Sequence, residues 1–206
     1  MKKLNVIYNG WGEHWPLGTL ADTGKTIVFE YSAQAIDSGL QLSPIRQPLP
    51  RVGAAPAPFK GEAAFHGLPG FIADALPDGW GMLLMDRALR QAGRDPRSVS
   101  VLERLAIIGH RAMGALTFEP AQDDVLPEET LVLKALAREV ARVQLDEGNE
   151  GSAQANDKLR HLLMLGGSPQ GARPKVLVDL NARTGVITSG QALKGSARPW
   201  LMKFPA

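Results

Sequence analysis

Three short apolar runs, at residues 4–8, 15–20 and 26–31, are separated by Gly10, Gly12 and the turn signal Asp22-Thr23-Gly24. Runs this short, broken at this spacing, leave room for strands and tight turns rather than helices. The first third is therefore predicted to form a small antiparallel sheet. A second hairpin signal lies far along the chain, where residues 175–180 and 186–188 flank Asn181-Ala182-Arg183-Thr184-Gly185. Residues 200–204 add a further strand.

Helical patterns fill much of the space between. Residues 43–61 are rich in proline (Pro44, Pro48, Pro50, Pro56 and Pro58) and read as an extended loop or crossover. Gly67-Leu68-Pro69 opens a helix to Ala75, Pro77-Asp78-Gly79 breaks it, and a second helix resumes over 80–91 with Asp78 as its N-cap. Ser100-Val101-Leu102-Glu103 is a capping-box pattern for a third helix ending near Gly109, followed by a strand at 115–118. The acidic stretch 120–127 lacks apolar periodicity and marks a boundary. Beyond it, 128–146 is predicted as an amphipathic helix, 148–154 as a connector, and Asn156 as the cap of a helix ending at Gly166-Gly167. The expected architecture is α+β in two parts. Residues 1–122 form a small antiparallel sheet with packed helices, and 123–206 form a helix and β-hairpin region.

Composition narrows the function classes. The 206 residues are 44% hydrophobic and 21% charged, which is ordinary for a globular protein. No apolar run is long enough for a membrane span, and the N-terminus is too polar for a signal peptide. Cysteine is absent, which excludes disulfides and thiolate metal sites and makes the cytoplasm the default location. The net charge of +2 hides an asymmetry: residues 123–157 carry nine acids, while 158–206 carry eight Lys/Arg against Asp179 alone. Such a basic stretch suits a polyanion, or is a solvated charged face.

That stretch contains Gly166-Gly167-Ser168-Pro169-Gln170-Gly171-Ala172-Arg173-Pro174-Lys175. Glycines let backbone amides approach an anion, Ser168 offers a hydroxyl, and Arg173 and Lys175 can bond phosphate oxygens. The loop is not a Walker A motif, because Ala172 stands where lysine is needed and a strand follows. A loop of this kind can also be simply a helix C-cap and turn. Further on, strand alternation places Leu201 and Lys203 on one face and Trp200, Met202 and Phe204 on the other. Lys203 then either neutralises nucleotide phosphates or protects an edge strand from aggregation.

Five segments in order complete the pattern: Phe65-x-Gly67-Leu68-Pro69; Leu76-Pro77-Asp78-Gly79-Trp80; Ile108-Gly109-x-x-x-Met113-Gly114-Ala115-Leu116-Thr117-Phe118; Ser168-x-x-Gly171-Ala172-Arg173-Pro174-Lys175; and Leu201-Met202-Lys203-Phe204. Together they resemble HipA-like serine/threonine kinases of toxin–antitoxin type, as do Leu17-Gly18-Thr19-Leu20 and Phe29-Glu30-Tyr31 near the start. The resemblance implies that 1–122 is that family's N-terminal subdomain and 123–206 a partial kinase N-lobe. It implies ATP contacts from Gln170, Gly171, Ala172, Arg173, Pro174, Lys175 and Lys203, and autophosphorylation at Ser168. About two added negative charges there would oppose triphosphate binding. The implied cofactors are ATP and Mg²⁺; the implied partners are a protein substrate and an antitoxin-type DNA-binding protein. The family's catalytic aspartate and metal ligands lie C-terminal to the Lys203 match, so this chain is expected to lack the catalytic lobe, to hold no catalytic residue and to be inactive alone.

A second reading is a non-catalytic interaction module that binds a partner kinase or an antitoxin. Direct nucleic-acid contact is not expected, for want of a recognisable recognition pattern. His14, His66, His110 and His161 lack metal-ligand spacing. Trp11, Trp15 and Trp80 are read as packing aromatics, with an interface role for Trp11 if its turn is exposed.

Overall fold

The computed structural model describes residues 2–51, 53, 57–121, 130–132, 171, 173–184, 186–188 and 198–204. The chain divides into two compact units, Met1–Leu76 with Val99–Asp123 and Pro77–Ser98 with Asp124–Ala206. Both mix helices with antiparallel strands, as the turn spacing predicts.

The first unit is built on β1 (Lys3–Gly10), β2 (Glu13–Asp22), β3 (Ile27–Tyr31), β4 (Phe59–Lys60) and β5 (Leu116–Glu119). They pair antiparallel in the order β4-β3-β2-β1-β5. Leu4 and Val6 of β1 are buried while Lys3 and Asn5 are exposed, the period of two of a half-buried strand, which breaks beyond Val6 where Ile7 and Tyr8 are both buried. The register shifts after Val6, which opposes Gly18, whereas Ile7 opposes Pro16. Leu17 is the extra residue, and this bulge turns both Leu17 and Gly18 inward. Only glycine fits at 18, because a Cβ would run into the Glu30 carbonyl and the Phe29 ring. Phe29, Tyr31 and Phe71 pack ring to ring, and Tyr8 packs at a tilt of 32° against its cross-strand neighbour Trp15, ring centroids 4.7 Å apart. The Tyr31 hydroxyl donates to the Gln47 carbonyl at 2.8 Å, tying the proline-rich crossover to the sheet. Burial pushes the Tyr31 phenol up to about 12.

Helix α1 (Ala33–Ser38) was not expected from the sequence, although its signals are present. Ser32 accepts from the Ala35 amide, and Gly39 ends the helix at φ 69°. Helix α2 (Gly70–Ala73) is the short helix read after Pro69. The helix predicted after Ser100 is α4 (Val101–Ile108), with both halves of its capping box formed. Full burial of its Leu102 and Leu105 contributes about 2 kcal/mol each.

In the second unit, α3 (Gly79–Gln91) accompanies β6 (Thr130–Val132), β7 (Lys175–Asn181), β8 (Val186–Thr188) and β9 (Arg198–Lys203). The described strands run β6-β8-β7-β9, all antiparallel. Trp80 and Leu84 of α3 share a core with Val176 and Val178 of β7 and Ile187 of β8, and Leu180, Met202 and Phe204 pack around it. The β7–β8 turn is shaped by Asn181, whose Oδ1 accepts from the Arg183 and Thr184 amides.

The helix predicted over 128–146 is corrected at its start. Thr130–Val132 forms a strand, because these residues complete an antiparallel pairing with β8 that helical periodicity could not foresee. Residues 133–146, the connector at 148–154 and the helix expected after Asn156 lie outside the described residues. Among those described, no helix is long and apolar enough to cross a membrane.

Candidate functional site

The foot of the glycine-bearing loop and the adjoining sheet form the site, all within the second unit. Gly171, Arg173, Pro174, Lys175 and Lys203 are described; Ser168, Gln170 and Ala172 lie outside the described residues.

Strand β7 pairs with β9 so that Lys175 lies directly opposite Lys203, Val176 opposite Met202, and Leu177 opposite Leu201. A further bond from the Phe204 amide to the Pro174 carbonyl, at 2.9 Å, holds this end of the ladder closed. Directly opposed residues share a sheet face. Because Val176, Val178 and Met202 face the core, Lys175 and Lys203 stand together on the other face. Lys203 is exposed, whereas Lys175 is 7% exposed and engaged within the protein. Like charges directly opposed destabilise a sheet by roughly 0.2–1 kcal/mol unless other groups engage them, as Lys175 is engaged here. Beside them, Leu177 and the 43%-exposed Leu201 make an apolar strip. Asp179 follows on the same face of β7 and is buried, which raises its pKa above the ordinary carboxylate value.

Gly171 lies beside Lys175 at this face. Its φ of +115° is a conformation that essentially only glycine adopts at little cost. A Cβ there would lie 2.6 Å from Lys175 Nζ, so the ammonium sits against the glycine backbone. Both polar groups of Gly171 are held by the start of α3. Its amide donates to Asp78 Oδ1 at 2.6 Å, and its carbonyl accepts from the Trp80 amide at 3.3 Å. The expectation that Asp78 caps α3 is thus half corrected. It occupies the N-cap position, but its side chain makes no cap bond and reaches the loop instead. Sequence reasoning missed this role because the partners are 93 residues apart.

Arg173 is exposed at the loop's edge and Pro174 is buried beneath it. The arrangement is a basic, partly apolar sheet face, rooted at a backbone conformation that needs glycine. Chemically it can hold an anion with an apolar group attached.

The remaining candidates are dispersed. Trp15 and Trp80 are buried packing aromatics, whereas Trp11 is 92% exposed in the β1–β2 turn, which corrects its reading as a packing residue. Among the described residues, no group of three or more His, Asp or Glu side chains gathers to hold a metal.

Residues 4–119 match the family model described as HipA N-terminal domain. Asp78 and Trp80 fall within that match; Gly171, Lys175 and Lys203 lie beyond it. Among curated proteins and solved structures, nothing matches the chain.

Proposed function

Because the chain belongs to the HipA N-terminal domain family, which makes it a HipA-like protein of the toxin–antitoxin class, we propose that it serves a serine/threonine kinase as the part that holds the phosphates of ATP. The observation that carries this reading is the Lys175–Lys203 register at the foot of the Gly171 loop. Two opposed ammonium groups supply positive potential for a triphosphate, and Gly171, Arg173 and Pro174 shape the loop above it, with Gln170 and Ala172 continuing it. The Leu177–Leu201 strip offers an apolar surface for a base or ribose. Mg²⁺ would accompany the nucleotide and offset the negative charge of its phosphates. Phosphate on Ser168 would silence the site by charge repulsion.

In this proposal residues 1–122 are the HipA-like subdomain and 123–206 a partial kinase N-lobe, working in the cytoplasm on a protein substrate under antitoxin control. The exposed Trp11 and Ile45, at 92% and 90%, favour an additional binding role for the first part, of the kind a non-catalytic interaction module would have.

The test is calorimetric titration of the 206-residue chain with ATP and Mg²⁺. Lys203→Ala is expected to weaken binding about tenfold, the effect of losing one charge-assisted phosphate contact. Wild-type and Lys203→Ala chains with equal affinity would remove Lys203 from the site.

A further inference from the structure

We propose that Asp78 is a latch for Gly171, at the foot of the phosphate-loop motif: its carboxylate, with the Trp80 amide, fixes the Gly171 peptide, so that the position of this foot is set by the first turn of α3. An aspartate with extended backbone just before a helix ordinarily turns its carboxylate onto the amides of that helix's first turn. Ser32 and Ser100 make the equivalent cap in this protein with their hydroxyl oxygens, which accept from the Ala35 and Glu103 amides. Asp78 has the same extended backbone, φ −123° and ψ 175°, yet its side chain makes no such bond.

The two residues exchange roles instead. Asp78 Oδ1 takes the Gly171 amide at 2.6 Å, and the Gly171 carbonyl takes the Trp80 amide that Asp78 leaves open. The result is a reciprocal cap between parts of the chain 93 residues apart. It joins the Leu-Pro-Asp-Gly-Trp motif to the glycine of the Gly-Ala-Arg-Pro-Lys motif, a contact that the spacing of the two motifs does not reveal.

The latch is coupled to the sheet through Trp80. That residue gives its amide to Gly171 and packs its ring in the core with Val176 and Val178 of β7. Between those valines and Gly171 stands Lys175, with its ammonium against the glycine. Helix α3, the loop's foot and the lysine-bearing strand therefore move as one piece while the latch is closed. Release of Asp78 leaves Gly171 held by one weaker bond to Trp80. Asp78 is a positioning residue in this scheme, since it acts on an anion only through the loop.

The nucleotide half of this inference rests on the proposed function; the latch itself does not. Two readouts on the same variants separate them: hydrogen exchange at the Gly171 amide, followed by NMR, and titration with ATP and Mg²⁺. Asp78→Ala is expected to speed Gly171 exchange by about tenfold or more, the factor set by one charge-assisted hydrogen bond. It should weaken ATP binding by a similar factor while leaving far-UV circular dichroism unchanged, because the side chain does not cap α3. Asp78→Asn keeps an acceptor oxygen and is expected to recover part of both losses. Unchanged Gly171 exchange in Asp78→Ala overturns the latch. Faster exchange with undiminished ATP affinity overturns the positioning role. Faster exchange in a protein whose wild type binds no ATP supports the latch and overturns the proposed function alone.

Discussion

Gly171→Ala probes the loop's foot most directly, and its cost can be worked from three features. The first is the backbone, since φ +115° lies outside even the left-handed helical region, and holding an alanine there costs of order 1–3 kcal/mol. The second is Lys175 Nζ, 2.6 Å from the new Cβ, inside van der Waals contact. The ammonium, at the end of a flexible stem, can move, but Lys175 is buried and engaged within the protein, so moving it disturbs that engagement and its place against the glycine. The third is the pair of hydrogen bonds to Asp78 and Trp80, which the peptide must give up if it relaxes toward an ordinary φ. Breaking them costs roughly 2–4 kcal/mol together, about 1 for the neutral bond and more for the charged one. Strain and relaxation are alternatives, and the cheaper sets the outcome at about 2 kcal/mol. That corresponds to roughly thirtyfold faster native-state hydrogen exchange in β7, on the scale of 1.4 kcal/mol per tenfold. Gly24→Ala is the control. Gly24 has φ +82° and open space within 4 Å of where a Cβ would stand, and its amide bonds only the neighbouring Asp22 Oδ1 at 2.8 Å, so it carries backbone strain without crowding or a long-range tether, and should cost about 1 kcal/mol, confined to the β2–β3 turn. Amide exchange in β7 that is as slow in Gly171→Ala as in wild type would refute the strained, tethered foot.

Two further outcomes follow from buried titratable groups. Tyr31 is raised from 10.0 to about 12, so the unfolded chain loses its phenolic proton first as pH rises. Stability from the neutral hydroxyl is complete below pH 10 and declines between about 10 and 12; alkaline denaturation should show this slope in wild type and lose it in Tyr31→Phe. Asp179 is raised by burial, so the folded protein takes up its proton before the unfolded chain does as pH falls. Charged Asp179 therefore opposes folding at neutral pH and less so as pH drops toward 3.8, and Asp179→Asn should melt higher than wild type at pH 7 by a margin that narrows on acidification. An Asn variant that melts lower at pH 7 would refute the uncompensated burial.

Local signals carried much of the fold in the amino-acid order alone. Turn glycines and period-two alternation located β1, β2, β3 and the β7–β8 hairpin, and Ser100 with Glu103 located the start of α4, because turns, caps and strand faces depend on residues a few positions apart. The same short range explains the misreadings. Thr130–Val132 pairs with β8 across more than fifty residues, and that pairing outweighs the helical pattern around it. At the site, the sequence supplied the loop glycine and both lysines, and alternation put Leu201 with Lys203. That Lys175 and Lys203 face one another depends on the β7–β9 register, which burial of Val176, Val178 and Met202 selects, since a one-residue slip would turn those side chains away from Trp80 and Leu84. Asp78 looked like an ordinary helix cap in sequence. Its assignment to Gly171 was settled only when packing of α3 on β7 brought a carboxylate within 2.6 Å of an amide 93 residues away, a proximity no local spacing encodes.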